Sequence, residues 1–236
     1  GTGRRALTPE ETRRVLETIR THPEGLFLAI LYYLGVRRGE ALGLKWGDFD
    51  FAADQVHILR DIDFTGSTSS EGTLKTAAAD RFIPVPAVLK EMLLPKRESA
   101  DAYVFHTPSG APLPQASYKR MWSRLMVACG CVTWREIKPG TSRPDDILKQ
   151  VKPTLTPHYF RHNYVTLLYE SGVDPLIAMK IVGHTDYQTT ANIYTHLKEE
   201  TLRRASVNME KVFAEREKGE GGERNRTTRP CVGGQR

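Results

Sequence analysis

The residues of this sequence that could do chemistry are basic and imidazole side chains at helical spacing. His158 and Arg161 lie three residues apart in the segment HYFRHNYVTLL, so both side chains are predicted to project from one face of a helix. An imidazole can carry a proton, and a guanidinium can bind two oxygens of a phosphate group. The pair therefore fits phosphoryl transfer, although a solvated helix face also explains these two residues taken alone.

Three further residues could join such a site. Arg37 lies between two glycines after an apolar run, and Glu40 could hold its guanidinium in position. An ordinary ion pair at the start of a helix is the alternative for these two residues. Lys75 lies near a turn between predicted strands, where it could reach a substrate or simply be a surface lysine. Tyr194 would be a nucleophile if cations and a base surrounded its hydroxyl, and a core aromatic residue otherwise.

The elements that must position these residues are mostly helical. Thr8 and Glu11 form a capping box that predicts the start of a first helix. The run GLFLAILYYL is apolar on all sides, which predicts a buried helix ending at Gly35. A short helix in RRGEALGLKW follows, and it would carry the first candidate arginine.

The middle of the chain predicts a small sheet. The segments QVHILRDIDF, GTLKT and RFIPVP are rich in β-branched and aromatic residues, as expected for antiparallel strands. Residues 130–153 are polar and interrupted by Pro and Gly, which indicates an insertion or a long loop. Helical signals return at Thr156. We therefore expect a mainly α fold with a small antiparallel β-sheet, of the α+β class.

The predicted organisation has three parts. Residues 1–6 are expected to be a linker remnant, and residues 7–213 the folded domain, with an amphipathic C-terminal helix at about 201–213. Residues 214–236 contain almost no apolar side chains, so we expect a disordered tail.

Composition narrows the function classes. The 236 residues carry 34 Lys and Arg against 28 Asp and Glu, and the resulting net charge of +6 admits nucleic acid as a partner. No segment has the length and apolarity of a signal peptide or a membrane span. Cys129, Cys131 and Cys231 fit neither a disulfide framework nor a zinc site. We therefore expect a cytoplasmic protein with no membrane contact, no cofactor and no metal.

Taken in order, the candidate residues resemble the catalytic domain of the tyrosine recombinases, the phage integrase family. The resemblance covers about residues 7–213. RHNYVTLLYESGVDPLIAMKIVGH and TTANIYTHL are most similar to integrases of phages and conjugative transposons. Supporting residues of the family are also found around the candidate positions: Gly35, Glu40, Leu44, His162, Gly183 and Thr190.

The resemblance implies a role for each reactive residue. Arg37 and Arg161 would clamp the scissile phosphate, and Tyr194 would attack it to give a 3′-phosphotyrosine. Because two guanidiniums offset the charge that develops on the phosphate oxygens, no metal is implied.

The remaining implied roles concern protons. Lys75 would protonate the leaving 5′ oxygen, with Arg81 as the alternative if the hairpin differs from that of the family. His158 would assist proton transfer, and His184 would donate a hydrogen bond to the phosphate.

The resemblance also implies partners. The protein would be a site-specific recombinase that acts on double-stranded DNA to integrate or excise a mobile element. It would form a homotetramer on DNA, although the fragment alone could be monomeric, and it would be bacterial or phage-encoded and nucleoid-associated. The family's N-terminal DNA-binding domain is expected to be missing. The C-terminal helix would pack on a neighbouring protomer or on its own domain, and residues 130–153 could contact DNA or a neighbour.

Three alternatives remain open at this point. A non-catalytic DNA-binding module of the same fold would have lost a reactive group, and no loss is evident. A type IB topoisomerase would share the chemistry but only relax supercoils. A metal nuclease could use the i, i+4 pair His158 and His162, but Arg161 would place a permanent cation beside the metal.

Overall fold

The computed structural model describes residues 5–65, 68–73, 80–134, 148, 150–183 and 187–223. The elements in chain order are α1 (Pro9–Thr21), α2 (Gly25–Leu34), α3 (Arg38–Leu42), β1 (Phe49–Asp50), β2 (Gln55–Ile58), β3 (Arg60–Thr65), β4 (Thr68–Thr73), β5 (Arg81–Pro84), α4 (Ala87–Leu93), α5 (Gln115–Ala128), β6 (Val132–Trp134), β7 (Val151–Pro153), α6 (Pro157–Glu170), α7 (Pro175–Val182) and α8 (Tyr187–Glu223). The predicted class, mainly α with small antiparallel sheets, is confirmed. None of the described helices is long and apolar enough to cross a membrane.

Helix α2 forms the centre of the core. All but one of its ten residues are buried, and it contacts α1, α3, α4 and α6. The capping box predicted for α1 is present, because the Thr8 hydroxyl accepts from the Glu11 backbone N–H and the Glu11 carboxylate accepts from that of Thr8. Helix α2 ends at Gly35, whose φ of +61° is readily adopted only by glycine.

The predicted sheet is divided into two parts. Strands β1, β2 and β5 form a three-stranded antiparallel sheet, whereas β3 and β4 form a separate hairpin. The segment QVHILRDIDF, predicted as one strand, therefore divides at Leu59. The side chain of Arg60 explains the division, because it binds the carboxylate of Asp48 at 2.6 and 3.0 Å and the carbonyl of Gly43 at 3.3 Å. These bonds hold β3 beside α3.

A short ladder lies within the predicted insertion. Strands β6 and β7 pair antiparallel, with Val132 opposite Pro153 and Trp134 opposite Val151. Residues 135–147 and 149 lie outside the described residues. The ladder packs near α5, where the indole N–H of Trp122 donates to the carbonyl of Leu155 at 3.2 Å.

Helix α6 begins directly after Thr156, where the sequence predicts that helical structure returns. Helix α6 is tied to the start of the domain by Asn163, whose side-chain oxygen accepts from the Leu7 backbone N–H at 3.3 Å. Asp174 caps α7 by accepting from the Leu176 N–H at 2.8 Å, and Gly183 ends it with φ of +73°. Thr185 and Gln188 have the sequence spacing of a capping box for the next helix, but Thr185 lies outside the described residues.

The chain forms two compact units, residues 1–193 and 194–236. The second unit contains most of α8, a single helix that begins before the predicted start at 201 and continues to Glu223. Residues 214–223, expected in a disordered tail, are therefore helical here, and residues 224–236 lie outside the described residues. Apolar side chains of α8 are 45 to 61% exposed: Leu202, Val207, Met209, Val212 and Phe213.

Candidate active site

The carboxylate of Glu40 organises the candidate site of the first unit. Glu40 lies in α3, directly after the Gly35 turn, and its side chain is 1% exposed. It accepts a hydrogen bond from the Arg37 backbone N–H at 2.8 Å and another from the Arg37 Nη1 at 2.8 Å. The predicted pair at i, i+3 is therefore present, and it is more than a surface ion pair because its acid is buried.

Arg37 is the partly open cation of the site. Its side chain is 39% exposed, and besides Glu40 it binds the carbonyl of Gly183 through Nη2 at 3.2 Å. A guanidinium has five N–H donors, and these two contacts use two of them. Arg37 can therefore donate to a bound anion without leaving its present position.

Arg81 is a structural arginine that binds Glu40 from strand β5. Its Nη1 and Nη2 donate to the two oxygens of Glu40 at 3.0 and 2.9 Å, and its Nε donates to the carbonyl of Ile181 at 2.8 Å. The side chain is only 5% exposed. Because the guanidinium of Arg81 is buried and bound to Glu40 and Ile181, it is poorly placed to replace Lys75 as a proton donor.

Burial and charge act in opposite directions on Glu40. Burial disfavours the carboxylate, but hydrogen bonds and charge from Arg81, the charge of Arg161 and a bond from the Arg37 backbone lower its pKa to about 2. Glu40 is therefore ionised throughout the physiological range and offsets part of the positive charge around it.

Arg161 lies on α6 and joins the ends of two helices. Its Nη1 donates to the carbonyl of Gly35, after α2, at 3.1 Å, and its Nη2 donates to the carbonyl of Val182, at the end of α7, at 2.7 Å. Burial, followed by the charge of Arg37, lowers the pKa of Arg161 to about 9, with Glu40 acting in the opposite direction. The guanidinium is thus charged at pH 7 in a place where a further cation is unfavourable and an anion is favourable.

The C-terminal end of α7 gathers three arginines. The carbonyls of Ile181, Val182 and Gly183 accept from Arg81, Arg161 and Arg37 respectively. The last carbonyls of a helix lack intrahelical partners and carry partial negative charge, so they are suited to guanidinium donors. One helix end therefore sets the spacing of the cations that could surround a phosphate.

His158 lies one helical turn before Arg161 and is partly exposed to solvent. Partial burial and the charges of Arg161, Arg37 and Arg38 lower its pKa from the usual 6.5. The imidazole is therefore neutral at pH 7 and can accept a proton. The same cations oppose a divalent metal ion at His158, which argues against the metal nuclease.

The remaining candidate residues are His162, Lys75, His184 and Tyr194. His162 lies on α6 beside Arg161 and is half-buried. Lys75 and His184 lie outside the described residues, although His184 directly follows the Gly183 carbonyl that Arg37 binds. Tyr194 lies on α8, where the second unit begins.

The structure thus brings together Arg37, Glu40, His158 and Arg161 as the sequence predicts. Arg81, expected only as an alternative to Lys75, instead binds Glu40. A signal for Arg81 was present in the sequence. In RFIP, alternate residues are buried, and Arg81 occupies an inward position of β5. A charged residue on the buried side of a strand needs an ionised partner, which Glu40 supplies.

Comparisons with known proteins identify the family of this chain. A sequence profile described as the phage integrase family matches residues 5–201. A XerC-like tyrosine recombinase of Caldanaerobacter subterraneus is 25% identical over 216 residues, covering 81% of this chain and 50% of that protein. The tyrosine recombinase XerA of Thermococcus onnurineus is 29% identical over 206 residues, covering 85% of this chain and 61% of that protein.

Solved structures show the same fold. The Tn1549 transposon integrase, in complex with circular intermediate DNA, superposes with a TM-score of 0.62 at 22% identity, covering 86% of this chain and 68% of that one. A XerA recombinase superposes with a TM-score of 0.56 at 21% identity, and the match covers 86% of this chain and 64% of that one. The chain spans about half to three-fifths of the length of the two curated relatives. The resemblance drawn from the residues is thereby confirmed at the level of family and fold.

Proposed function

This chain belongs to the phage integrase family, and from that premise we propose that it is the catalytic part of a site-specific DNA recombinase. It cleaves and rejoins DNA strands through a 3′-phosphotyrosine intermediate, for the integration or excision of a mobile element. Its substrate is double-stranded DNA in the cytoplasm of a bacterium, at the nucleoid, and the active assembly is a homotetramer on that DNA.

The observation that carries the proposal is the group of three arginines at the end of α7. Among the described residues, the contacts of Arg37 and of Arg161 each use two of the five N–H donors of a guanidinium. Two such cations would bind the nonbridging oxygens of a scissile phosphate and offset the charge that develops there. This is the work that metal ions do in many nucleases, so we assign no metal or cofactor to the reaction.

The cleavage step forms one P–O bond and breaks another. The hydroxyl oxygen of Tyr194 forms a bond to phosphorus, and the bond from phosphorus to the 5′ oxygen breaks. His158, neutral at pH 7, takes the proton of the tyrosine, and Lys75 gives a proton to the leaving 5′ oxygen. His184 donates a hydrogen bond to the phosphate. The phosphodiester energy is kept in the phosphotyrosine, so a 5′ hydroxyl of another strand can reverse the step without ATP.

Supporting residues act through these groups. Glu40 holds Arg37 and is held in turn by Arg81, and His162 lies next to Arg161 on α6. The exposed apolar side chains of α8 suit contacts between protomers in the tetramer. The DNA complex of the Tn1549 integrase, which shares this fold, supports duplex DNA as the substrate.

Covalent capture tests the proposal. The protein is incubated with a pool of nicked duplexes in EDTA, so that the short fragment released by cleavage diffuses away and the intermediate is trapped. We expect a denaturation-resistant adduct on DNA 3′ ends from the parent protein, none from Tyr194→Phe, and an undiminished amount from the control Tyr187→Phe.

The other outcomes separate the alternatives. An adduct that persists in Tyr194→Phe would show that another residue is the nucleophile. DNA binding without any adduct would favour the non-catalytic module. Relaxation of supercoiled DNA without exchange between two duplexes would favour the topoisomerase.

A further inference from the structure

Arg38 is a cation of the same site whose role is so far unassigned. It follows Arg37 in the chain and begins α3, and its guanidinium carbon lies 4.7 Å from the ring centre of Phe64 and 5.6 Å from that of Tyr118. Two aromatic rings therefore hold the guanidinium by cation–π contact. Its buried Nε has no hydrogen-bond partner among the described residues.

The guanidinium of Arg38 has different partners from those of the neighbouring arginines. Arg37 and Arg81 share the carboxylate of Glu40, and Arg161 binds two carbonyls. Within the described part of the chain, Arg38 makes neither a hydrogen bond nor an ion pair. Stacking on rings orients a guanidinium but leaves its terminal N–H donors open.

The ring platform is rigid, which matters for a binding role. Tyr118 lies on α5, is buried, and is itself packed against Phe27 and Trp122. Phe64 lies on β3 with its ring 5.9 Å from that of Tyr118. An arginine fixed in this way loses little further side-chain entropy when it binds an anion.

The charge of Arg38 also affects the imidazole of His158. It acts on His158, together with Arg161 and Arg37, to disfavour the protonated imidazole. Arg38 thus lies close enough to this group to influence it, although it makes no hydrogen bond to it.

We propose that Arg38 binds a DNA backbone phosphate next to the scissile phosphate, and so positions the strand for cleavage. The inference rests on the proposed function for the identity of the scissile phosphate. Successive phosphates of one strand rise about 3.4 Å along the duplex axis, so neighbouring cations can contact neighbouring phosphates. Phosphate contacts fix the register of a protein on DNA, which makes Arg38 a positioning residue rather than a catalytic one.

The first test measures DNA binding, independently of cleavage. A 30-base-pair duplex of mixed sequence is titrated with the parent protein and Arg38→Gln at several salt concentrations. The slope of log K against log[salt] should fall in magnitude by about 0.9 in Arg38→Gln, because one phosphate contact is lost. Arg38→Lys keeps the charge and should restore the slope.

The matched control is Arg97→Gln. Arg97 also lies over an aromatic ring, that of Phe51 at 5.4 Å, so its replacement removes the same kind of contact elsewhere. Its slope should equal that of the parent. Thermal unfolding of each variant separates a lost phosphate contact from a lost fold, and an unchanged slope in a folded Arg38→Gln would overturn the proposal.

The second test locates the phosphate. A neutral methylphosphonate replaces one phosphate at a time on either side of the cleaved position in a captured nicked duplex, and binding is measured with each protein. The parent should lose affinity about tenfold at one flanking position, and Arg38→Gln should show little further loss there. Equal sensitivity of the two proteins at every position would overturn the assignment to a neighbouring phosphate. If the parent forms no adduct but the salt slope still changes, the proposed function fails while phosphate binding by Arg38 stands.

Discussion

The guanidinium of Arg81 binds both oxygens of the buried Glu40 carboxylate, at 3.0 and 2.9 Å, and thereby fixes the acid that positions Arg37. The two residues are separated by 41 positions in the chain, so this contact joins α3 to the three-stranded sheet. Because Glu40 is ionised and Arg81 also binds the end of α7, the stability of the fold and the geometry of the site depend on the same ion pair.

Glu40→Gln should therefore destabilise the protein. The substitution keeps the size of the side chain but leaves two guanidiniums without their anion, so we expect the free energy of unfolding to fall by about 3 kcal/mol. Urea unfolding at pH 7 measures this. Glu10→Gln, which removes an exposed carboxylate that pairs with Arg13 and Arg14, is the control and should change the unfolding midpoint very little. Equal effects of the two substitutions would contradict the assigned role of Glu40.

The same ion pair predicts how stability depends on pH. The pKa of Glu40 is about 2 in the folded protein against an ordinary value of 4.5, so the unfolded chain takes up the proton first as the pH falls. The stabilisation by Glu40 is complete above pH 4.5 and is lost as the pH falls towards 2. The difference in unfolding free energy between the parent and Glu40→Gln should therefore shrink between pH 4.5 and 2. A difference that stays constant over this range would show that Glu40 is not held ionised by its arginines.

Two glycines test the turn that presents Arg37. A Cβ at Gly35 would lie 2.3 Å from the Tyr164 ring, whereas a Cβ at Gly172 would meet nothing within 4 Å, and both residues have positive φ. Gly172→Ala should cost only the backbone term of about 1 kcal/mol, and Gly35→Ala about 3 kcal/mol because overpacking is added. Urea unfolding of both variants measures the difference. Gly35→Ala should also weaken phosphate binding, since the Gly35 carbonyl holds Arg161; similar losses of stability in both variants would count against this packing.

Local interactions of the site could be predicted from the sequence, and non-local ones could not. The contact of Arg37 with Glu40 and the capping of α1 by Thr8 involve residues three positions apart, so their spacing is visible in the sequence. The contact of Arg81 with Glu40 depends on the packing of β5 against α3, which no local pattern reports. The division of QVHILRDIDF had the same origin, because Arg60 reaches a carboxylate twelve residues earlier.

In the C-terminal helix, the sequence predicted less ordered structure than is present. Composition predicted disorder after residue 213, since few apolar side chains follow. Helix α8 nevertheless continues to Glu223. Residues 214–218 are Ala, Glu, Arg, Glu and Lys, which all have high helix propensity and can extend the helix without apolar contacts. Propensity does not explain its continuation through Gly219, Gly221 and Gly222.

His158 should titrate below pH 6.5. Partial burial and three arginine charges disfavour its protonated form, so the imidazole NMR signal should show a midpoint lower than that of a free histidine. Removing one of those charges in Arg37→Gln should raise the midpoint, because the repulsion is reduced. A His158 midpoint above 6.5, or one that does not move in Arg37→Gln, would contradict this view of the site.

Whether Tyr194 is the nucleophile is tested most directly by identifying the residue and the DNA end that are joined in the captured adduct. Trypsin should release residues 181–198 as one peptide, which contains both Tyr187 and Tyr194, so fragmentation of the peptide by mass spectrometry must separate the two. We expect a nucleotide 3′-phosphate on Tyr194. A modification on Tyr187, on any other residue, or through a 5′-phosphate would contradict it.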